Sequence, residues 1–267
     1  MTQIKSPLDI YKLLPKSNCR QCGVRTCLAF ADAVFKGNKS IAECPHMEGG
    51  DNQKIDGQVV RPRGITQQQE QMLEQLKRDL AGVDLSAVAP RLGGSYADGK
   101  LTIKILGKDF HVDAAGNVTS AIHVNTWVTV PLLNYIITGK GKNPSGSWVA
   151  FRELRNGHIR QPLFEQRCEK PLQKMAEHDV DLFEHLLAVF GKPVRDIFSS
   201  DMAYILYTLP KMPILISCWM PEEAGMEARV NLFFDQAAQE NLDIDSIHML
   251  CSGIVTMFEK ITARHGK

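Results

Sequence analysis

Residues 13–27 of the chain read LLPKSNCRQCGVRTC, and a fourth cysteine, Cys44, stands directly before Pro45. The spacing of the four thiols is C-x2-C-x4-C-x16-C-P. Four of the seven cysteines of the chain therefore lie within residues 19–44. This density predicts either a metal site or a set of buried small side chains. The four members are Cys19, Cys22, Cys27 and Cys44.

The local sequence favours a loop that runs into a helix. Gly23 can take a positive φ angle, which suits a tight loop carrying Cys19 and Cys22. Thr26 is a good helix N-cap, so Cys27 is expected in the first helical turn. The positive end of the helix dipole would then favour negative charge on the thiolates.

The chain can also return from that helix to the loop. The helix is expected to end at Gly37–Asn38, and its nine residues lead about 14 Å away. The eight residues 37–44 span up to about 26 Å when extended, which leaves slack for a turn at Ser40. The four thiolates are therefore expected to converge on one point. The apolar residues expected on the face of Cys27 are Phe30, Ala31 and Val34.

Four thiolates suit either tetrahedral zinc or an iron–sulfur cluster. The pair Cys19 and Cys22 fits a zinc knuckle, but Cys27 and Cys44 are too far apart in sequence to form a second one. A 4Fe–4S cluster spreads its ligands over a larger volume, which an irregular loop with one distant Cys-Pro can supply. The residues alone leave both metals open.

Composition places the chain among globular proteins of one or two domains. It has 267 residues, of which 44% are hydrophobic and 23% charged. A net charge of +1 and 7% aromatic residues give no reason to expect a nucleic acid partner. The best apolar stretch, residues 204–220, is interrupted by two prolines and a lysine, so we expect no membrane span and a cytoplasmic protein. Thiols are normally reduced there, which favours metal over disulfides.

The pattern along the chain predicts two domains. Residues 1–47 form a small cysteine-bearing unit, residues 48–64 are rich in Gly and Pro and predict a linker, and residues 65–267 form the second domain. Strand and helix patterns intermix in the second domain, so the expected fold class is α+β: a small irregular helical module followed by a larger mixed domain.

Individual elements follow from periodicity and capping signals. Pro131 argues that the helix within 127–137 begins later than its apolar pattern suggests. The expected elements are a helix from Thr66 to about Gly82, short strands at 101–105 and 110–112, the helix within 127–137, buried strands at 202–209 and 214–219, an apolar segment at 230–234, a helix from Asp235 to Asn241, and a last amphipathic helix from Asp245 or Ser246.

The stretch from Leu13 to Pro45 resembles the small four-cysteine 4Fe–4S domain of the corrinoid iron–sulfur protein large subunit. The same type of domain stands at the start of the B subunit of the Rnf electron-transport complex. The residues that carry the resemblance are Leu14-Pro15, Asn18-Cys19, Gln21-Cys22-Gly23, Cys27, Ala29 to Ala31, Gly37 and Cys44-Pro45. It implies one 4Fe–4S cluster with Cys19, Cys22, Cys27 and Cys44 as its ligands. Two further stretches, residues 148–154 and 209–213, look like an uncharacterised domain of anaerobic prokaryotes that is often fused to such a module. That likeness implies no activity.

The other candidate residues favour structural roles. Cys168, Cys218 and Cys251 are scattered and are expected to be buried small side chains, and His46 is expected on a surface loop. Three further motifs are read as structural. Asp109-Phe110-His111 lacks the glycine of a cobalamin-binding motif and lies in a hairpin pattern. Gly139–Lys142 lacks the Ser or Thr of a phosphate-binding loop. Glu222-Glu223 follows Pro221 in a predicted turn.

These observations favour a one-electron transfer accessory protein of anaerobic metabolism. The four cysteines form a complete ligand set, and the sequence contains no recognisable catalytic motif. The expected partner is a redox protein, and the resemblance adds a corrinoid or one-carbon pathway protein. Two alternatives remain at this point: an enzyme with its active site in the second domain and the cluster as a relay, or a binding module stabilised by zinc or a cluster. The positive charges of Lys16, Arg20 and Arg25 are expected to stabilise the reduced cluster.

Overall fold

The computed structural model describes residues 4, 6–35, 39–47, 65–195, 197–221 and 226–265, with residues 65–69 and 265 described by their backbone alone. The chain divides into two compact units, Met1–Gln71 and Met72–Lys267. The first is small and helical and the second mixes helices with two sheets, so the expected α+β fold class is confirmed. The proposed linker, residues 48–64, lies outside the described residues.

Two short helices form the framework of the first unit. Helix α1 spans Pro7–Leu13, and it begins with a capping box in which Ser6 Oγ accepts from the backbone N–H of Asp9 at 3.3 Å. Helix α2 spans Cys27–Phe35 and buries one apolar face. A 3-10 turn over Ile41–Glu43 leads the chain back to Cys44.

The apolar faces of these elements meet in a small core of their own. Its residues are Ile4, Ile10, Leu14, Cys27, Phe30, Ala31, Val34, Phe35, Ile41 and Cys44. The predicted burial of Phe30, Ala31 and Val34 on the face of Cys27 is confirmed. The predicted helix end at Gly37–Asn38 lies outside the described residues.

The second unit begins with two helices and a four-stranded meander. Helix α3 spans Ile65–Leu80 and helix α4 spans Leu85–Leu92. The strands that follow pair antiparallel with their neighbours in chain order, as hairpins joined by short turns. They are β1 (Ser95–Ala97), β2 (Lys100–Ile105), β3 (Lys108–Asp113) and β4 (Val118–Ser120). The two predicted strands at 101–105 and 110–112 are confirmed.

A second antiparallel sheet has the strand order β5-β9-β8-β7-β6. Its strands are β5 (Trp148–Ala150), β6 (Lys192–Pro193), β7 (Met202–Leu209), β8 (Met212–Trp219) and β9 (Arg229–Asp235). Strand β8 is buried along nearly its whole length, as its unbroken apolar sequence predicts. The backbone N–H of Leu106 donates to the carbonyl of Tyr207 at 3.1 Å and joins the turn after β2 to β7.

Helices cover this sheet. They are α5 (Thr126–Thr138), α6 (Gly157–Phe164), α7 (Lys170–His178), α8 (Val180–Phe190), α9 (Ala238–Asn241) and α10 (Ile244–His265). A π-helical segment, Glu165–Glu169, joins α6 to α7. Of the helices that the structure describes, none is both long enough and apolar enough to cross a bilayer.

Three predicted helix starts need correction. Helix α5 begins at Thr126 with Pro131 inside it, because one missing N–H costs less than exposing a face that is buried along most of its length. Asp235 does not cap a helix: its carboxylate ends β9 and accepts from the backbone N–H groups of Gly146 at 2.6 Å and Ala237 at 2.8 Å. The last helix is capped by Asp243, which accepts from the backbone N–H of Ser246 at 2.9 Å.

The long helix α10 packs directly on α5 at Gly253, where any larger residue would overlap the indole of Trp127. We expect Gly253→Ala to lower the free energy of unfolding by about 1–3 kcal/mol, because this overlap outweighs the better helix propensity of alanine. Urea unfolding followed by circular dichroism measures the change. In the control Gly82→Ala, the new methyl group meets its nearest atom at 3.8 Å, so little change is expected. A Gly253→Ala protein as stable as the wild type would contradict the packing described.

Candidate metal centre

The N-terminus of helix α2 places Cys27 as the sequence predicts. The helix begins at Cys27, and the hydroxyl of Thr26 accepts from the backbone N–H of Ala29 at 3.1 Å. Thr26 is therefore the N-cap, and Cys27 lies in the first turn with its side chain buried. The unpaired N–H groups of this turn make the helix end electropositive, which stabilises nearby thiolate charge.

A reciprocal pair of hydrogen bonds joins the loop to this helix. The backbone N–H of Cys27 donates to Asn18 Oδ1 at 2.8 Å, and the backbone N–H of Asn18 donates to Cys27 Sγ at 3.3 Å. The first bond satisfies one of the free donors of the helix end. The second directs the positive end of a backbone dipole at the sulfur. Sequence reasoning had assigned no role to Asn18.

The loop backbone has an unusual alternation of φ. Lys16, Asn18 and Arg20 have φ values of 59°, 50° and 64°, while the residues between them do not have positive φ. Gly23 has φ of 76°, as predicted. Left-handed conformations at non-glycine residues other than Asn could not have been predicted from composition.

The chain returns to the loop through a capped turn. Ser40 Oγ accepts from the backbone N–H of Ala42 at 3.3 Å, and Glu43 accepts from the backbone N–H of Ser40 at 2.8 Å. The predicted turn at Ser40 is therefore present. It ends at Cys44, whose side chain is buried in the same small core as Cys27.

The four thiols differ in exposure. Cys27 and Cys44 are buried, Cys22 is half-buried and packs against the small core, and Cys19 is exposed. Throughout the part of the chain that the structure describes, no three Cys, His, Asp or Glu side chains are placed to hold a single metal ion. The structure thus brings three of the four thiols to one core, and the convergence of all four stays a prediction.

The residues present fit an iron–sulfur cluster by their chemistry. Four thiolates are the usual ligand set of such clusters, and hydrogen bonds to the sulfurs are among the features that tune them. The loop supplies such a bond at Cys27, from the backbone N–H of Asn18. The cationic residues Lys16, Arg20 and Arg25 are exposed on the same loop and add positive charge.

The three remaining cysteines are buried in the second unit, as predicted. Burial raises the pKa of Cys168 to about 12 and that of Cys218 to about 11. Burial also raises the pKa of Cys251 well above its ordinary value. These thiols therefore stay protonated and behave as small apolar side chains.

The other motifs singled out in the sequence have structural roles where they are described. His46 is exposed, as predicted. His111 lies on β3 and its Nδ1 is 2.8 Å from the hydroxyl of Thr102 across the hairpin, so Asp109-Phe110-His111 is part of a strand. Residues 139–142 form a loop in which Lys140 pairs with Glu240 at 2.6 Å. Glu222-Glu223 lies outside the described residues.

Two protein-family models match separate parts of the chain. A family model described as a domain of unknown function, DUF3786, matches residues 84–257. The chain belongs to the DUF3786 family. An iron–sulfur cluster family model matches residues 14–46, and this match contains all four clustered cysteines. The resemblance inferred from the cysteine spacing is therefore confirmed, and the DUF3786 domain occupies most of the second unit.

Curated relatives match the N-terminal region. The corrinoid/iron–sulfur protein large subunit of Moorella thermoacetica is 42% identical over 55 residues, which are 21% of this chain and 12% of that protein. The acetyl-CoA decarbonylase/synthase complex subunit gamma of Methanothermobacter thermautotrophicus is 37% identical over 49 residues, 18% of this chain and 11% of the other. The same subunit of Methanocaldococcus jannaschii is 50% identical over 40 residues, 15% and 8% respectively.

These matches support an iron–sulfur cofactor in the N-terminal unit. They cover only about a tenth of the length of the relatives. The likeness therefore concerns the cluster module and none of the rest of those proteins. No solved structure matches the chain significantly.

The exposure and acidity of the thiols predict an order of chemical labelling. In metal-free, reduced protein at pH 8, we expect a thiol reagent to modify Cys19 first, while Cys168, Cys218 and Cys251 react only after unfolding. Raising the pH to 9 should not make Cys168, Cys218 or Cys251 reactive, because thiols with a pKa of about 11 or above form little thiolate at that pH. Timed quenching and peptide mass spectrometry give the order. Labelling of Cys168 or Cys251 in the folded protein as fast as that of Cys19 would contradict the burial described.

Proposed function

We propose that the chain is an electron-transfer protein that binds one 4Fe–4S cluster through Cys19, Cys22, Cys27 and Cys44. The observation that carries this proposal is that all four cysteines lie inside the match to the iron–sulfur cluster family. The loop geometry supports it independently, because the N–H of Asn18 already donates to a cysteine sulfur. We assign the module to residues 1–47 and the linker to residues 48–64.

The residues of the loop would act on the charge of the site. When bound, a 4Fe–4S cluster takes up and releases one electron. The Asn18 N–H and the N-terminus of α2 direct positive dipole ends at Cys27 and favour added negative charge. Lys16, Arg20 and Arg25 act in the same sense, and because they are exposed their effect depends on salt.

A complete set of thiol ligands favours electron transfer over chemistry at iron. Each of the four cysteines would bind one iron of the cluster, so no iron is left without a protein ligand where a substrate could bind. The exposed thiol of Cys19 gives the site one side open to solvent, where a redox partner can approach, while Cys27 and Cys44 close the opposite side with apolar neighbours.

A structural zinc ion is the less favoured alternative. Tetrahedral zinc with bonds of about 2.3 Å to sulfur holds the four Sγ atoms about 3.8 Å apart. Among the described residues, no three potential ligands are placed to hold one ion, and a cluster accepts wider separations. The spacing of Cys27 and Cys44 in sequence points the same way.

The biological setting follows from the names of the relatives. They are a corrinoid/iron–sulfur protein and subunits of an acetyl-CoA decarbonylase/synthase complex. We propose a redox protein of anaerobic metabolism as the partner, with a corrinoid or one-carbon pathway protein as the first candidate, in the cytoplasm. In this proposal the DUF3786 domain docks the partner.

The cofactor is tested by anaerobic purification with iron, sulfide and zinc analysis. We expect about four iron and four sulfide per chain, and a paramagnetic signal after reduction with dithionite. Cys22→Ala should lose most of both elements. The matched control Cys218→Ala should keep them, because that thiol lies buried in the second unit. Zinc in place of iron, or a redox titration without a reversible one-electron step, would overturn the proposal.

The charge of the loop is tested by potentiometry. We expect Arg20→Gln to make the midpoint potential more negative by an amount on the order of tens of millivolts, because a lost positive charge destabilises the reduced state. Arg20→Lys keeps the charge at the same backbone conformation and should leave the potential nearly unchanged. The difference should shrink in about 1 M salt. Equal potentials for Arg20→Gln and wild type at low salt would show that this residue does not act on the cluster.

A further inference from the structure

A cavity of about 480 Å³ opens beside the second sheet of the DUF3786 domain, entirely within the second unit. Its walls come from the 3-10 turn at Phe151–Glu153, from α6 and the π-helical segment, and from strands β8 and β9. This volume lies in the range of small-molecule sites. Nothing in the proposed electron-transfer function uses it.

The π-helical segment places a buried carboxyl group in this cavity. Glu169 is 8% exposed, and its Oε1 accepts from the backbone N–H of Leu232 at 3.2 Å and from Asn231 Nδ2 at 3.3 Å. No described residue donates to its second oxygen. Burial raises the pKa of the Glu169 carboxyl, and the charge of Arg152 partly opposes this rise. Single π-helical turns inside α-helices occur frequently at functional sites.

A second polar group in the cavity has no partner. Gln161 lines it, and the buried Oε1 of that side chain accepts no hydrogen bond from any described residue. A buried acceptor without a donor is rare in proteins, because its lost hydration is not replaced. The atom is also shielded from solvent, so a molecule in the cavity does not reach it.

Two arginines and two aromatic side chains complete the walls. Arg152 and Arg229 both line the cavity, and neither forms an ion pair with an acidic side chain in the described part of the chain. The guanidinium of Arg229 lies 4.0 Å from the ring centre of Trp219, which fixes its plane and leaves its edge free. Such a guanidinium edge matches a carboxylate.

Phe198 closes one side in a strained conformation. Its ring centre lies 4.4 Å from that of Phe233, and its φ is 55°, with 47° at Ser199. Left-handed backbone at a bulky residue is a genuine outlier, and such strain concentrates at binding sites. The result is an apolar, aromatic wall opposite a cationic one.

We propose that this cavity binds a small planar carboxylate. The carboxylate lies between Arg152 and Arg229, and the planar body lies against Trp219 and Phe198. The site belongs to the DUF3786 domain and does not depend on the cluster. It gives this domain a ligand in addition to, or instead of, a docking role.

The test is isothermal titration calorimetry of the full-length, anaerobically purified protein with two matched probes. Indole-2-carboxylate has the planar body and the carboxylate, and indole lacks the carboxylate. We expect saturable one-to-one binding of the first and at least tenfold weaker binding of the second.

Variants assign each feature to its residue. Arg152→Gln and Arg229→Gln should each weaken indole-2-carboxylate at least fivefold and leave indole unchanged, while the exposed control Arg264→Gln should change neither.

Two results would overturn the inference. One is no saturable binding of indole-2-carboxylate by the wild-type protein. The other is unchanged binding by Arg152→Gln and Arg229→Gln proteins whose melting temperatures match the wild type. Thermal melts of every variant accompany the titrations, and both arginines are exposed, so their replacement is not expected to unfold the domain.

Discussion

The N-terminal unit depends on the reciprocal hydrogen bonds between Asn18 and Cys27. One bond ties the loop to the first turn of α2 through a donor that the helix cannot satisfy itself. The other directs a loop N–H at the sulfur atom. Because a thiolate needs such dipoles around it to remain charged in a partly buried place, the same contact serves both the fold and the chemistry.

Much of the fold could be predicted from patterns of apolar residues, caps and turn residues. The strands of the first meander and the buried strands β7 and β8 follow from alternation and from unbroken apolar runs. The segment from Gly157 to Phe190 has no comparable signal, because its helices carry internal prolines and a π-helical turn. The start of α5 was predicted wrongly because the local preference of a proline is weak compared with burial of a whole helix face. The start of α10 was predicted slightly too late because three capping residues stand close together, and the first of them, Asp243, is the one that caps the helix.

The two candidate sites differ in how visible they are in the sequence. The cysteines are close together along the chain, so spacing alone predicts a metal site. The cavity residues Arg152, Gln161, Glu169 and Arg229 come from four separate elements and share no motif. Only the pairing of β9 with β5 and β8, together with the π-helical turn, brings them to one place. The signals that could have marked them, an unpaired buried acceptor and a buried carboxyl, do not exist before the chain is folded.

The π-helical segment has one further consequence, which concerns the spacing of residues along the chain. From Gly157 to His178 the backbone runs as one continuous helical rod, with the wide turn at Glu165–Glu169 in its middle. A π-helical turn takes one residue more than an α-helical turn. The wide turn therefore accommodates one extra residue without rotating the helix that follows it, and Leu172, Met175 and Ala176 stay on the face that lies in the core. In a helix that stayed regular, the same extra residue would turn them by about 100°. A family member one residue shorter in this turn should therefore have an ordinary helix and keep the same core face.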